Sequence, residues 1–281
     1  MSKTKIVLLT TGTMVAFATN SLLCRMALRD AHIDAASFTA IRLASGALML
    51  WLIIRFSNRS IRQHGSWCSA FALFSYAGAF SYAYLSLPAS TGALLLFGAV
   101  QATMIGYGLW RGERLDTFQS VGLVLACAGL IGLMMPGLSA PSPHGTVLML
   151  IAGISWGVYS LRGRGGINPT ENTASNFIRT LPFAALLSVA MSSHAAFDSQ
   201  GIGYAVISGA LASGLGYAIW YGVLPGLRAT TAAIVQLSVP VIAALGGAII
   251  LREAITQQLL FSAIAILGGI ALVVAGRRRS N

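Results

Sequence analysis

Residues 89–113 read ASTGALLLFGAVQATMIGYGLWRGE, and residues 229–253 read ATTAAIVQLSVPVIAALGGAIILRE. Identical residues recur 140 positions apart in the two stretches: Thr91 and Thr231, Ala93 and Ala233, Gly106 and Gly246, Glu113 and Glu253. Outside them Gly129 recurs as Gly269 at the same spacing, and Arg25, Ile41 and Arg42 recur as Arg162, Ile178 and Arg179 at a spacing of 137. The chain therefore contains a unit that is duplicated at half its length.

The composition places this duplicated chain in a membrane. Of its 281 residues, 56% are hydrophobic and only 9% are charged, and the mean hydropathy is +0.76. Ten apolar stretches are each close to the ~20 residues with which a helix crosses a bilayer. They cover roughly 6–24, 36–56, 67–87, 89–110, 117–135, 145–161, 173–192, 202–224, 230–250 and 256–276. Because they lack the two-residue alternation of barrel strands, the predicted fold is an all-α membrane protein with ten transmembrane helices.

The number of helices in each copy determines how the two copies are oriented. Residues 1–135 hold the first five predicted helices, residues 136–144 form a linker rich in Pro, Ser and Gly, and residues 145–281 hold the second five. Because five is odd, the second copy must cross the bilayer upside down relative to the first. Two inverted five-helix repeats in one membrane domain are a transporter architecture.

The basic residues predict the orientation of the chain. The net charge is +11, but the charges lie in short connectors rather than on one face, which argues against nucleic acid as a partner. With the N-terminus inside, cytoplasmic loops and ends hold 13 of the 18 Lys and Arg residues: Lys3, Lys5, Arg55, Arg59, Arg62, Arg111, Arg114, Arg162, Arg164, Arg228, Arg277, Arg278 and Arg279. This bias predicts a bacterial inner-membrane protein with both termini in the cytoplasm and its first helix retained.

Several short motifs resemble those of the ten-helix drug/metabolite exporters of the EamA type. They are Ser155-Trp156-Gly157, the Ile-Arg pairs at Arg42 and Arg179, Pro240, and the acids Glu113 and Glu253. The resemblance covers the whole chain and implies a central cavity lined by helices one, three, four, six, eight and nine. The aromatic run Tyr217-Ala218-Ile219-Trp220-Tyr221 is most similar to the aromatic amino acid exporters of this superfamily.

Candidate substrate-binding residues are polar and aromatic side chains on those helices. An unpaired amide in a bilayer costs several kcal/mol, so Asn20, Gln101 and Gln236 should face protein or water, where they would hold the amino and carboxylate groups of a substrate. Aromatic faces that could stack on a side chain or attract a cation come from Tyr82, Phe97, Trp156, Tyr159, Tyr217, Trp220 and Tyr221. The alternative is that the amides join helices and the aromatic residues serve packing.

Two arginines and two glutamates are expected to join the halves at the membrane surfaces. Arg42 and Arg179 each lie about six residues inside a predicted helix, within reach of the interface by extension of the side chain. In the predicted topology Arg42 approaches Glu253 and Arg179 approaches Glu113, so two symmetry-related ion pairs are predicted to gate the ends. Pro240 would kink the ninth helix and act as a hinge.

The positions of the acidic residues and histidines restrict the transport mechanism. The seven acidic residues and four histidines map to loops or helix ends, whereas proton relays use titratable groups deep in the membrane. We therefore expect facilitated transport by alternating access, with proton-coupled multidrug export as an alternative. A sugar-phosphate or nucleotide-sugar carrier is a second alternative, although it would need several converging basic residues.

Other function classes fit less well. The chain shows no nucleophile–base pair and no metal-ligand spacing, so neither an enzyme nor a bound metal or cofactor is expected. Small residues in helices five and ten, including Gly122 and Gly269, permit close helix contacts, either within the chain or in a weak homodimer. The expected function is export of amino acids with aromatic or hydrophobic side chains, with some tolerance for drug-like organic cations.

Overall fold

The computed structural model describes residues 1–30, 32–57, 65–112, 114–135, 140–163, 168–227, 232 and 235–276, with the side chains of 275 and 276 excepted. In the first half the helices are α1 Lys3–Arg29, α2 Ala35–Phe56, α3 Trp67–Ala83, α4 Ala89–Trp110 and α5 Thr117–Met134. In the second half they are α6 Pro143–Gly163, α7 Pro169–Ala190, α8 Ser199–Gly226, α9 Ser238–Ile250 and α10 Gln257–Gly276. In these ranges the extended pairing is limited to the bridge of Ile33 with Phe197, so the protein is all-helical.

Polar side chains define where several helices begin. The carboxylate of Asp34 accepts the N–H groups of Ala36 and Ser37 at the start of α2. Asp116 and Gln119 form a reciprocal capping box at the start of α5. Such caps satisfy backbone donors that the first helical turn leaves free. The loop acids Asp34 and Asp116 are therefore structural residues that terminate connectors.

Seven of the described helices are long and apolar enough to cross a membrane: α1, α2, α4, α5, α6, α8 and α10. Of the other three, α3 has 17 residues and α9 has 13, while α7 carries Glu171 and Arg179 among its 22. Each of the ten predicted stretches overlaps one of these helices. The structure thus shows a multi-pass helical protein, and the count of ten crossings remains a prediction.

The ninth stretch differs most from its predicted extent of 230–250. Val235 and Gln236 are helical, Leu237 is a turn, and α9 begins at Ser238. Pro240 has no N–H to donate to the carbonyl of Gln236, four residues earlier, and its ring crowds that position. Pro240 therefore lies in the first turn of α9, next to a break in the helix, rather than at a kink in mid-helix.

Helices from the two halves pack mainly against each other. The most extensive contacts are α5 with α10, α3 with α6, α4 with α6, α2 with α7, and α2 with α8, and all of these join the first half to the second. Equivalent pairs occur when the halves are exchanged: α3 contacts α6 as α1 contacts α8, and α4 contacts α6 as α1 contacts α9. The two halves consequently share one core.

The contact of α5 with α10 depends on glycine. A Cβ atom on Gly122 would lie 2.6 Å from the carbonyl oxygen of Gly269, and one on Gly269 would lie 2.5 Å from that of Gly122. Large apolar side chains such as Val124 and Ile264 point outward from the pair, as expected of a surface in contact with lipid. Gly122 and Gly269 thus serve a contact within the chain.

Hydrogen bonds join the two halves at each end of the bundle. At one end, here called the Arg25 end, the α1–α2 loop binds the α7–α8 loop: Asp34 N–H donates to the Ala196 oxygen and Asp198 N–H to the His32 oxygen, both at 2.8 Å. At the opposite, Arg162 end, Ser66 N–H donates to Asn176 Oδ1 at 3.0 Å and Arg162 Nε donates to Ser69 Oγ at 3.1 Å. The two halves are thus joined loop to loop at the Arg25 end, and by bonds of Ser66 with α7 and of α6 with α3 at the Arg162 end.

Candidate functional site

A cavity of about 610 Å³ lies between the two halves. It is lined by α1, α3, α4, α6 and α8, by the first residues of α7, and by Ala232 and Gln236 just before α9. Residues at its margin include Gly163, Pro169, Leu224 and Leu227, which are exposed or partly exposed and belong to the Arg162 end. The cavity therefore reaches the surface at that end of the bundle.

The Arg25 end is packed shut. Leu22, Ala89 and Leu251 form a small buried apolar cluster there. Arg25 Nε lies 3.2 Å from Glu253 Oε1, and both side chains are mostly buried. Glu253 Oε2 also accepts the N–H of Ala89 at 2.8 Å. This arrangement separates the cavity from the Arg25 end.

Most of the predicted binding residues come together in this cavity. Eight of the ten line it: Asn20, Phe97, Gln101, Trp156, Tyr217, Trp220, Tyr221 and Gln236. Tyr82 does not, because it lies in the last turn of α3 near Asp34. Tyr159 packs behind Trp156 with ring centroids 5.4 Å apart and interacts with Thr173 and Asn176 of α7. These two placements correct the prediction.

Three aromatic lining residues were not predicted: Phe17, Tyr76 and Phe80. The ring centroid of Trp156 lies 4.9 Å from that of Tyr76 and 5.1 Å from that of Tyr217, and Phe17 lies 5.5 Å from Tyr217 in an edge-on arrangement. Tyr76 and Phe80 are four residues apart and share one face of α3. That spacing was the available signal, and it excludes Tyr82 from the same face.

The amide side chains supply polar groups to an otherwise aromatic and aliphatic wall. Asn20 Oδ1 accepts the hydroxyl of Ser208 at 2.6 Å, which leaves its N–H₂ group available to a ligand. Within the described ranges neither Gln101 nor Gln236 has a hydrogen-bond partner, although Gln101 is only 7% exposed. Both can therefore donate to and accept from a molecule in the cavity.

Arg42 does not pair with Glu253, and that prediction is wrong. The Arg42 side chain is 2% exposed and points into the protein rather than toward the interface. Its Nη2 donates to the Tyr76 hydroxyl at 3.1 Å and its Nε lies 3.4 Å from Ser213 Oγ. Glu253 is instead occupied by Arg25, which is also a repeated residue and was an equally eligible partner.

Arg179 lies near the Arg162 end. Its Nη1 donates to the hydroxyl of Ser175, and its guanidinium carbon lies 6.0 Å from the ring centroid of Trp67. Its predicted partner Glu113 is outside the described residues, so the pair of Arg179 with Glu113 stays a prediction.

A π-helical segment of α8, Ser208–Leu215, positions the residues behind the cavity wall. Its first residue binds Asn20 and its sixth, Ser213, faces Arg42. A Cβ atom on Gly209 would lie 2.1 Å from the Arg42 carbonyl oxygen, so only glycine allows α2 and α8 to approach this closely. Single π turns are often found at functional sites, and this one brings α8 onto both α1 and α2.

In the part of the chain that the structure describes, the site contains no group of catalytic or metal-binding residues. No group of three or more His, Cys, Asp or Glu side chains is close enough together there to hold a metal ion. The described wall of the cavity includes no acidic, basic or histidine side chain. The arrangement is that of a binding chamber.

Comparison with known proteins agrees with this geometry. The model of the EamA-like transporter family matches the chain twice, over residues 4–135 and 144–275. An uncharacterized protein of Pseudomonas aeruginosa is 54% identical over 278 residues, covering 99% of this chain and 97% of that protein. The uncharacterized transporter YoaV of Bacillus subtilis is 23% identical over 83% of this chain and 85% of its own length.

An uncharacterized transporter of Archaeoglobus fulgidus is 24% identical over 86% of this chain and 87% of its own length. A solved crystal structure of 18% identity matches with a TM-score of 0.66 and covers all of both chains. That structural likeness supports the fold alone.

Proposed function

The chain belongs to the EamA-like transporter family, and from this membership we propose that it exports amino acids with aromatic or hydrophobic side chains across a bacterial inner membrane. The observation that carries the proposal is the cavity, in which Trp156, Tyr217 and Phe17 surround a space bordered by the amides of Asn20, Gln101 and Gln236. Its volume of about 610 Å³ falls in the range of ~300–1,000 Å³ typical of small-molecule sites.

The direction of transport follows from the proposed orientation. Ten crossings with both termini in the cytoplasm would place the Arg162 end, where the cavity reaches the surface, on the cytoplasmic side. Substrate would then enter from the cytoplasm and leave after the Arg25 end opens. Support for two inverted repeats comes from the double match of the family model and from helix contacts that recur when the halves are exchanged.

The proposed mechanism is facilitated alternating access. Proton relays use titratable groups inside the membrane, and the described wall of the cavity has no acid or histidine. For the same reason organic cations would meet aromatic faces but no carboxylate in this wall. A hinge at the helix break before Pro240 would lie next to Gln236, so motion of α9 would move a lining residue.

The proposal is tested by uptake of radiolabelled phenylalanine, threonine and a sugar phosphate into proteoliposomes containing the purified protein, with and without a pH gradient. We expect phenylalanine flux that exceeds threonine flux and is insensitive to the gradient. Flux of the sugar phosphate alone would contradict the proposal. A strict dependence of phenylalanine flux on the gradient would replace facilitated transport with proton coupling.

A further inference from the structure

Arg42 carries a buried charge that no carboxylate neutralises within the described structure. Of the seven acidic residues of the chain, all except Glu113 are described, and the ion pairs that they form involve Arg25, Arg29 and His32. Glu113 lies outside the described residues, and the helix that precedes it, α4, ends at Trp110 at the Arg162 end. An unpaired buried charge is costly, and in a membrane protein it marks a functional site by default.

The surroundings compensate the guanidinium only in part. Its carbon lies 4.8 Å from the ring centroid of Phe80 and 5.2 Å from that of Tyr76, within the range of cation–π attraction. Nη2 and Nε have the hydroxyls of Tyr76 and Ser213 as acceptors. Nη1 is buried and has no hydrogen-bond partner in the described structure.

This charge lies directly behind the wall of the cavity. Tyr76 and Phe80, which cover the guanidinium, are themselves lining residues, and the lining residue Tyr217 interacts with both Arg42 and Tyr76. The Tyr76 hydroxyl accepts a hydrogen bond from Arg42, so its own hydrogen can be donated to the neighbouring Tyr217 or to a ligand in the cavity. The cavity therefore has a positive field at this wall and no acidic side chain in its described lining to oppose it.

We propose that Arg42 is the residue that selects cargo bearing a carboxylate, which it recognises through the Tyr76 hydroxyl and through the field of its unpaired charge behind the cavity wall. The inference rests on the proposed function and names the substrate class of that site as carboxylates rather than organic cations. A single guanidinium balances one negative charge, so the geometry favours a monocarboxylate over a phosphate dianion, which binds where several basic groups converge.

The test compares each carboxylate with its own neutral amide. Binding of phenylalanine, 3-phenylpropionate and hexanoate, and of the three corresponding amides, is measured on the full-length protein in nanodiscs by the fluorescence of its tryptophans, two of which line the cavity. A unit charge about 8 Å away at an effective dielectric constant near 20 corresponds to about a thirtyfold preference for the carboxylate. We expect that preference in the wild type, in Arg42→Lys to a smaller extent, and not in Arg42→Gln.

Arg179→Gln is the matched control, because Arg179 is the counterpart of Arg42 in the repeat and lies against Trp67 rather than in the cavity wall. It should keep the preference. Equal behaviour of carboxylates and amides in the wild type, which needs no variant to fold, would overturn the proposal, as would loss of both ligand types to the same degree in Arg42→Gln. Preference for 3-phenylpropionate without binding of phenylalanine would sustain the role of Arg42 and refute amino acid export.

Discussion

Glu253 connects three segments of the chain at the Arg25 end. One carboxylate oxygen binds Arg25 of α1, the other accepts the N–H of Ala89 at the start of α4, and the residue itself follows α9. Arg25 extends the connection, because its Nη1 donates to the Tyr84 carbonyl at 2.9 Å. Opening this end requires that these bonds break together.

Removal of the Glu253 carboxylate should therefore open the Arg25 end. Loss of one partner of a mostly buried ion pair costs about 3 kcal/mol, so Glu253→Ala should speed the chemical labelling of buried Cys24 by up to about a hundredfold. The measurement uses a background in which the exposed Cys68 and Cys127 are replaced by serine.

Asp30→Asn provides the control for that prediction. Asp30 also pairs with an arginine at this end, but both side chains of the Arg29–Asp30 pair are more than one-third exposed, and exposed pairs contribute about 0–1 kcal/mol. Labelling of Cys24 should change little in Asp30→Asn. Equal acceleration in both variants would mean that Glu253 does not hold the end shut.

Trp156 has three ring contacts, with Tyr76, Tyr159 and Tyr217 around it. Aromatic pairs contribute about 0.5–1.5 kcal/mol beyond the area they bury, so Trp156→Ala should weaken phenylalanine binding by about tenfold. Trp51→Ala, at an exposed position outside the cavity, should not change it. Titration of both variants with phenylalanine makes the comparison, and parallel losses would remove Trp156 from the binding site.

At the scale of single residues, the sequence predicted which side chains line the cavity better than it predicted which side chains pair with each other. Membrane depth and helix periodicity identify which side chains face inward, and most of the proposed binding residues do line the cavity. The predicted pair of Arg42 with Glu253 was wrong because the rotation of a helix decides whether a long side chain extends to the surface or turns inward. Arg42 turns inward, toward the π segment of α8, which approaches α2 closely at Gly209.

The α5–α10 pair offers a sharp test at the level of helices. Gly269 and Gly268 are neighbours, yet a Cβ atom on Gly269 meets backbone at 2.5–3.0 Å whereas one on Gly268 meets nothing within 4 Å. Gly269→Ala should lower the free energy of unfolding by about 1–3 kcal/mol, and Gly268→Ala should leave it unchanged or raise it by up to about 1 kcal/mol. Unfolding in mixed micelles measures both, and equal effects would show that the helices do not pack through Gly269.

The hydrogen bonds of the Asp34 carboxylate, which join the α1–α2 loop to the α7–α8 loop, should depend on pH. Partial burial alone would raise the pKa of Asp34, but hydrogen bonds from Ser37, Ala196 and Ala36 outweigh it and hold the pKa below its usual value of 3.8. A carboxyl with a lowered pKa in the folded state stabilises the fold above the unfolded pKa, and the stabilisation is lost as the pH falls through the folded pKa.

Asp34→Asn keeps a helix-capping side chain and removes the charge, so it should cost about 1 kcal/mol at pH 7. The difference from the wild type should shrink as the pH falls below about 4 and through the folded pKa of Asp34. Melting temperatures of the two proteins between pH 3 and pH 7 test this expectation. A difference that is as large at pH 3 as at pH 7 would contradict a charge-dependent role for Asp34.

The sequence predicted where the helices lie more closely than it predicted where a helix is interrupted. Apolar length places every helix start except that of α9 within about four residues, as for α2 and α5, which the structure shows to begin directly after Asp34 and Asp116. The break at Leu237 and the π segment of α8 were not predicted. The break lies where the ring of Pro240 would clash with a carbonyl four residues earlier, and the π segment packs against α1 and α2. Apolar periodicity records neither feature.

For the molecule as a whole, the packing of each half depends on the other. The strongest helix contacts cross between residues 3–134 and residues 143–276, so the halves cannot separate as independent domains. The proposed mechanism requires the halves to rock against each other, and in the described part of the chain the cavity lies between them and reaches the surface at the Arg162 end. The duplicated sequence predicts two halves, but it does not predict which end is shut, because that depends on contacts such as Arg25 with Glu253.

The most direct test of alternating access follows both ends in the same molecules. Spin labels on the exposed residues Leu85 and Ala254 report the Arg25 end, and labels on the exposed Trp110 and Pro225 report the Arg162 end. Pulsed electron-spin distances are measured in nanodiscs with and without phenylalanine. We predict that phenylalanine creates a population in which the first distance lengthens and the second shortens. Distances that lengthen together at both ends, or that do not respond to phenylalanine, would contradict the account.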